Sequence, residues 1–350
     1  MIYIGGRFLH TFLSNAILNR QGLSIKGENR PNNASFDTTK TLSDTDIMPV
    51  VEVNGLHKSY RRVNAVNDIS FSVEPGEIFG LLGPNGAGKT TTIECLEGMR
   101  EYDSGSITVL GLDPKSDGQA LRKRIGMQLQ ESTLPADIKV WEAMDLYASF
   151  YESTIEWKPL LEQIGLSEKI GSRFSKLSGG QKQRLYIALA LINDPELVFF
   201  DEITSGLDPQ SRRVMWDLVK EVRKQGKTIF LTTHFMEEAE ILCDRVTIID
   251  HGKIVASGTT EDLVRDLQLD HRVIFTTSEL LNEEFFLNLS SVSSVEVSGN
   301  KCTVAGKGDL LIKDVIDFLV QKDISFRNIR SEYPNLEDVF LTLTGRSIRE

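Results

Sequence analysis

The 350-residue sequence contains no apolar run approaching the ~18 residues that a bilayer-spanning helix requires. Its longest candidates, such as "IALALI" at 187–192, are core-sized, so if the chain serves a membrane, another chain does the spanning. Cysteine is scarce. Cys95, Cys243 and Cys302 are scattered, odd in number and form no C-x-x-C pair, which argues against a disulfide framework or a zinc site and suits a reducing cytoplasm. Positive charge is in deficit too: 39 Lys and Arg against 50 Asp and Glu leave a formal charge of −11. The molecule as a whole is therefore not drawn to nucleic acid or anionic lipid, and no nucleic-acid partner is expected. No internal repeat is visible. What remains, 40 % apolar and 25 % charged, is an ordinary globular composition, long enough for two domains.

Residues 1–48 read unlike the rest: rich in Asn, Ser, Thr and Gly, without sustained periodicity. Arg7, Arg20 and Lys26 with no acid before residue 28, around "FLHTFLSNAIL", give the charge bias of a targeting segment. Neither a cleavage site nor a continuous apolar stretch accompanies it, so the segment is read as a disordered extension or an upstream start. From 50 to 82, short alternating or apolar runs separated by turn residues such as Glu74-Pro75-Gly76 read as strands. Residues 132–175 read as helical, with Trp141, Met144, Tyr147, Ala148 and Tyr151 recurring at helix spacing. From 185 to 258, helices alternate with the buried-strand runs "LVFFD", "TIFLTT" and "VTIID", the pattern of a parallel α/β sheet. Beyond about 266 the texture becomes that of a small α+β unit: strands at "RVIFTT" and "VEVSGNKCTVAG", a helix over 309–321, and a last helix at "NLEDVFLTLTG" closed by Gly345.

Two glycine-rich stretches carry chemistry. "EIFGLLGPNGAGKTT" is a strand followed by Gly83-Pro84-Asn85-Gly86-Ala87-Gly88-Lys89-Thr90-Thr91. Glycines at that spacing let backbone N–H groups converge on phosphates, and the following helix aims its positive end at them. Lys89 supplies charge to the outer phosphates, and the Thr90 hydroxyl can ligate Mg²⁺. "ELVFFDE" is an apolar strand ending in Asp201 and Glu202; at the carboxyl edge of such a sheet Asp201 can hold Mg²⁺ and Glu202 can serve as general base. His234 leaves "TIFLTT" at the same edge, placed to sense phosphate or position water. Gln130 offers an amide to Mg²⁺ or water, and Tyr60 an aromatic face to a base. In the second stretch, "KLSGGQKQR", Ser178 and Gln181 form a capping box, while Gly179 and Gly180 bare the first turn of a helix to an anion.

Taken together, these residues resemble the nucleotide-binding subunit of the ATP-binding cassette transporters over about 50–260. Tyr60 matches the adenine-stacking aromatic, 83–91 the phosphate loop, Gln130 the Q-loop glutamine and "LSGGQKQR" the family signature. "LVFFDE" matches the magnesium and base strand, "SGLD" ending in Asp208 the D-loop, and His234 the switch histidine. Ile203 stands where the family frequently has proline, and Gln128 blurs the register before Gln130. The resemblance implies a P-loop NTPase core with an antiparallel β subdomain and a helical insert at about 132–185, spanning 49–265. The tail, 266–350, resembles the accessory domain of exporter ATPases of the drug, antibiotic and bacteriocin-immunity group. The cofactors implied are ATP and Mg²⁺. The partners implied are a second ATP-binding subunit, most simply another copy, and an integral membrane permease that holds the subunit at the cytoplasmic face of the membrane. In this arrangement the signature of one subunit closes on the ATP held by the other, and the permease docks near 130–160, with Trp141 and Tyr147 as candidate contacts. The alternative is a soluble ATPase of the same class with a regulatory or non-transport role; Lys89, Glu202 and His234 together favour turnover over mere binding.

Overall fold

A computed structural model of the chain describes residues 48–61, 63–128, 134–267, 269–279, 281, 283–308 and 310–345. All but the last residue of the expected N-terminal extension lies outside the described residues. Among the described residues no helix is long and apolar enough to cross a membrane.

The apolar runs become the interior of a six-stranded sheet. β3 (Ile78–Leu82), β6 (Leu197–Asp201) and β7 (Thr228–Thr233) are buried at every position, as strands covered on both faces must be. With β5 (Ile125–Gln128), β8 (Arg245–Asp250) and β9 (Lys253–Gly258) the order is β5-β6-β7-β3-β8-β9, parallel except for β9. This order makes β6, β7 and β3 neighbours, so the phosphate loop, the acidic pair and His234 all emerge side by side at one carboxyl edge. The register sets Asp201 opposite Thr232, and Leu82 opposite Thr233.

An antiparallel sheet, ordered β2-β1-β4 from β1 (Val51–Tyr60), β2 (Val63–Val73) and β4 (Ser104–Val109), covers this sheet. Phe79 joins the two, stacking on Phe71 at 5.4 Å and meeting Phe230 at 5.5 Å. Helix α1 (Lys89–Leu96) leaves the phosphate loop, and α2 (Gly118–Arg122) leads into β5. The segment read as helical over 132–175 is broken: α3 (Val140–Ala148) and α4 (Trp157–Gln163) are followed by two short 3₁₀ turns before α5 (Gly179–Leu191). Gly165, at φ +66°, turns the chain after α4, a conformation a side chain would disfavour.

The tail holds a second antiparallel sheet, ordered β11-β12-β10-β13, from β10 (His271–Thr277), β11 (Val292–Ser298), β12 (Lys301–Gly306) and β13 (Phe326–Glu332). Helices α9 (Glu284–Leu287) and α10 (Leu311–Gln321) accompany it, and Phe275, Phe286, Val315 and Leu319 fill its own core. The last helix, α11 (Leu336–Thr344), is capped at one end by Asn335, which accepts from Asp338 N, and at the other by Gly345 at φ +72°. Arg272 of β10 donates to Asp338 of this helix at 2.7 Å, but the helix's apolar face does not join the tail's core. Leu336, Val339 and Phe340 instead enter the core of the main body with Met236, Ala239 and Leu242 of α7 (Met236–Leu242) and with Leu263 of α8 (Thr260–Asp266). Leu336 N donates to Glu240 Oε1 at 2.6 Å, fastening α11 to α7. The boundary expected at 266 is thus bridged: the tail's sheet has a separate core, but its terminal helix belongs to the body.

Phe340 is fully buried in that junction. Phe340→Ala is expected to lower the unfolding free energy of the body by about 3–5 kcal/mol, as for other buried Phe truncations, read from denaturant titration. A loss confined to an independently melting tail would contradict the packing described.

Candidate nucleotide site

The phosphate loop is built where the chain can make no other residue fit. A Cβ on Gly83 would sit 2.3 Å from Ile249 O, and one on Gly88, at φ +111°, 2.3 Å from Ala65 O. Ala87 N donates to Pro84 O at 3.2 Å and closes the turn. Asn85 and Gly86 form an exposed crown, while Lys89, at the first position of α1, is buried. Thr90 and Thr91 follow on the first turn, half-buried.

A buried ammonium must be compensated. Lys89 Nζ donates to Gly83 O at 2.9 Å and to Pro84 O at 3.2 Å, and lies 3.2 Å from Glu202 Oε1. The other oxygen of Glu202 accepts from Ser205 Oγ at 3.0 Å and lies 3.2 Å from His234 Nδ1. Burial by itself would raise the Glu202 carboxyl; His234, Lys89 and Ser205 outweigh it and bring it down to about 2, so it is a carboxylate at neutral pH. Its backbone is held at φ +51°, in the left-handed region that non-glycine residues rarely adopt, with its N–H donating to Thr232 O at 3.1 Å. Neighbouring Asp201 behaves in the opposite sense. Burial pushes its carboxyl up, against the hydroxyl of Thr232 and helped by the charge of Glu202. Thr232 Oγ1 donates to Asp201 Oδ1, and Thr90 Oγ1 to Oδ2 at 3.3 Å. A hydroxyl and an under-compensated carboxylate side by side suit a hard divalent cation that takes its remaining ligands from phosphate and water. Among the described residues no group of three or more His, Cys, Asp or Glu forms a cage without them.

The structure therefore brings Lys89, Thr90, Asp201, Glu202 and His234 together beside the loop 83–91, while Tyr60, Ser178 to Gln181 and Asp208 stand on other segments. Tyr60 ends β1 with its ring partly exposed and flanked by Lys58 and Arg100, at 5.6 and 5.3 Å from its centroid. Gln130 lies outside the described residues. Ser178 caps α5 as its spacing predicts: its Oγ accepts from Gln181 N at 3.3 Å, and its N–H donates to Gln181 Oε1 at 2.9 Å. Ser178 and Gly179 face solvent. Asp208 caps α6 (Pro209–Lys224), accepting from Gln210 N, Ser211 N and Ser211 Oγ. The two caps abut, since a Cβ on Gly179 would lie 3.8 Å from Leu207 Cδ2 and one on Gly180 3.1 Å from Ser211 Oγ. Of the two docking candidates in the helical region, Trp141 is exposed, but Tyr147 packs against the main core, and burial raises its hydroxyl. In the sequence Ser205 is marked only as the start of "SGLD" and Thr232 only as a strand residue, and their contacts with Glu202 and Asp201 are not foreseen. Ser205 stands three residues beyond Glu202, a local clue; Thr232 meets Asp201 only through strand register.

Comparison with known proteins agrees with this geometry. The family profile described as ABC transporter matches residues 66–205. The chain is 38 % identical over 310 residues to Nod factor export ATP-binding protein I of Rhizobium etli, covering 87 % of this chain and 96 % of that one. It is 36 % identical over 312 residues to linearmycin resistance ATP-binding protein LnrL of Bacillus subtilis, covering 86 % and 100 %. A solved ATP-binding subunit of an ABC transporter superposes with a TM-score of 0.57 at 30 % identity, over 62 % of this chain and 93 % of that one. The chain belongs to the ABC transporter family as an ATP-binding, ATP-hydrolysing subunit of the P-loop fold.

Proposed function

We propose that the chain is the motor of an exporter, working as a homodimer whose two ATP molecules lie between the phosphate loop of one copy and the signature of the other. The observation that carries the catalytic part is Glu202, a buried carboxylate held ionised in a left-handed turn, 3.2 Å from both Lys89 and His234. In this reading the loop 83–91 cradles the phosphates, and Lys89 exchanges its contact with Glu202 for phosphate oxygens. Glu202, so released, accepts a proton from the water that attacks the γ-phosphorus, with His234 fixing the orientation of both. Thr90 and Asp201 would hold Mg²⁺, with Gln130 as a further ligand; the ion supplies neutralisation of phosphate charge. Tyr60 would stack on the adenine. Ser178 and Gly179, exposed, with half-buried Gly180 and Gln181 form a helix start that would receive the partner's nucleotide, and Asp208 braces them from the adjoining cap. The export direction is supported by the names of the relatives, one a Nod factor exporter and one a linearmycin resistance protein. The permease would be a separate chain, docked on the region around exposed Trp141 at the cytoplasmic face of the membrane.

Two substitutions separate the parts. Glu202→Gln is expected to retain ATP binding, lower hydrolysis by at least about a hundredfold and accumulate an ATP-bound dimer, seen by size exclusion with nucleotide quantified. Unchanged turnover would remove the base assignment. Gly179→Asp fits sterically, because the Cβ position is in ordinary contact; it should spare ATP binding and abolish hydrolysis. If binding and hydrolysis fell equally, the signature would be only a helix start.

A further inference from the structure

Three buried polar atoms, Thr204 Oγ1, Arg212 Nε and Glu238 Oε2, have no hydrogen-bond partner among the described residues. Native interiors leave few such atoms, and those that remain call for an explanation. These three are not scattered. The Thr204 hydroxyl and the Arg212 charge both act on the Glu238 carboxyl, as does the Thr233 hydroxyl. Glu238 is itself fully buried, and its other oxygen, Oε1, accepts from Trp216 Nε1 at 3.1 Å.

Each partner stands on a separate segment leading away from the chemistry. Thr204 lies two residues beyond Glu202. Arg212 is in the first turn of α6, just after Asp208, and its guanidinium covers the Phe235 ring at 4.0 Å. Phe235 in turn packs on the imidazole of His234, centroids 4.0 Å apart. Glu238 sits on α7, one turn beyond His234. The carboxyl is therefore the meeting point of the base segment, the helix after the D-loop and the histidine segment. Trp216 fixes one of its oxygens; the second has no partner at hydrogen-bond geometry among the described residues, although the Thr204 and Thr233 hydroxyls are near enough to act on the carboxyl. The signature helix touches the same segment at Leu207 and Ser211, so anything closing on the exposed signature bears on residues 203–211.

We propose that Glu238 is a positioning residue for hydrolysis: when the segment 203–208 shifts in the closed, reacting state, Glu238 Oε2 takes up the Thr204 hydroxyl, with Arg212 alongside, and fixes Glu202 relative to His234. The inference rests on the assignment of Glu202 and His234 to the reaction. A purely structural role for Glu238 would need the Trp216 bond alone and would leave Thr204 without influence on turnover.

The test is a double-mutant cycle on ATP hydrolysis by the full chain, with thermal melting to confirm folding. Thr204→Val and Glu238→Ala are each expected to lower kcat about tenfold with the KM for ATP within about twofold, and the double variant to be no slower than Glu238→Ala alone. Glu238→Gln, which still accepts from Trp216 and can donate to Thr204, should stay within about threefold of the parent chain. Unchanged kcat in Thr204→Val, or single losses that multiply to about a hundredfold in the double variant, would overturn the proposal. Should Glu238→Ala not fold, the Thr204→Val arm decides by itself, paired with Glu238→Gln. Retained hydrolysis in Glu202→Gln would instead sink the underlying assignment, whatever Thr204 and Glu238 do.

Discussion

The rest of the structure turns on one electrostatic constraint: an ammonium that must reach phosphates has to wait inside the protein without losing its charge. Lys89 is buried, and an unpaired buried cation would deprotonate or pull the loop apart. Two carbonyls of its own loop and the carboxylate of Glu202 meet that need. Those partners must converge on one point from distant parts of the sequence, which a parallel sheet accomplishes by ending β3, β6 and β7 at the same edge. The same contact restrains the carboxylate that the proposed chemistry uses. Phosphate competing for Lys89 would free Glu202, so nucleotide binding and readiness of the base are linked by exchange of one ion pair.

The second anion-seeking loop follows a different logic. Gly179 is exposed and Gly180 half-buried, the serine is engaged in the capping box, and the loop leans on the D-loop cap. A helix start whose first turn is glycine suits the close approach of an anion, and a partner's nucleotide could supply it. The neighbouring contacts offer a route by which such binding bears on the base, from Gly179 and Gly180 through Leu207 and Ser211 to Ser205 and Glu202. On the far side of the site, Glu240 ties α7, the helix after His234, to α11. The terminal helix thus rests on an element one step from the chemistry.

Legibility from sequence followed the range of the interactions. The turn at 83–88 ahead of α1 and the Ser178–Gln181 box are encoded by spacing within a few residues, and both have the backbone geometry that spacing predicts. The strands "LVFFD" and "TIFLTT" announce themselves because burial on both faces demands unbroken apolar runs. What depends on register or tertiary contact was hidden. Thr232 meets Asp201 only because β6 and β7 pair in that phase. β13, read nowhere, alternates weakly and carries Arg327 and Arg330 outward. Tyr147 shares its helical spacing with true surface residues, and only packing distinguishes it from Trp141. The apolar face of α11 was visible, but that it crosses back to the body was not.

Mixing two inactive variants decides whether each phosphate loop is completed by the signature of another copy. Lys89→Ala removes the ammonium and Gly179→Asp blocks the signature, so each protein alone is expected to be inactive. Combined in equal amounts, their mixed dimers contain one composite site with an intact Lys89 from one chain and an intact signature from the other. ATP hydrolysis should then reappear, at up to about a quarter of the parent rate if dimers form at random. A mixture as inactive as its components would mean that both loops serve one chain's nucleotide, and would contradict the claim.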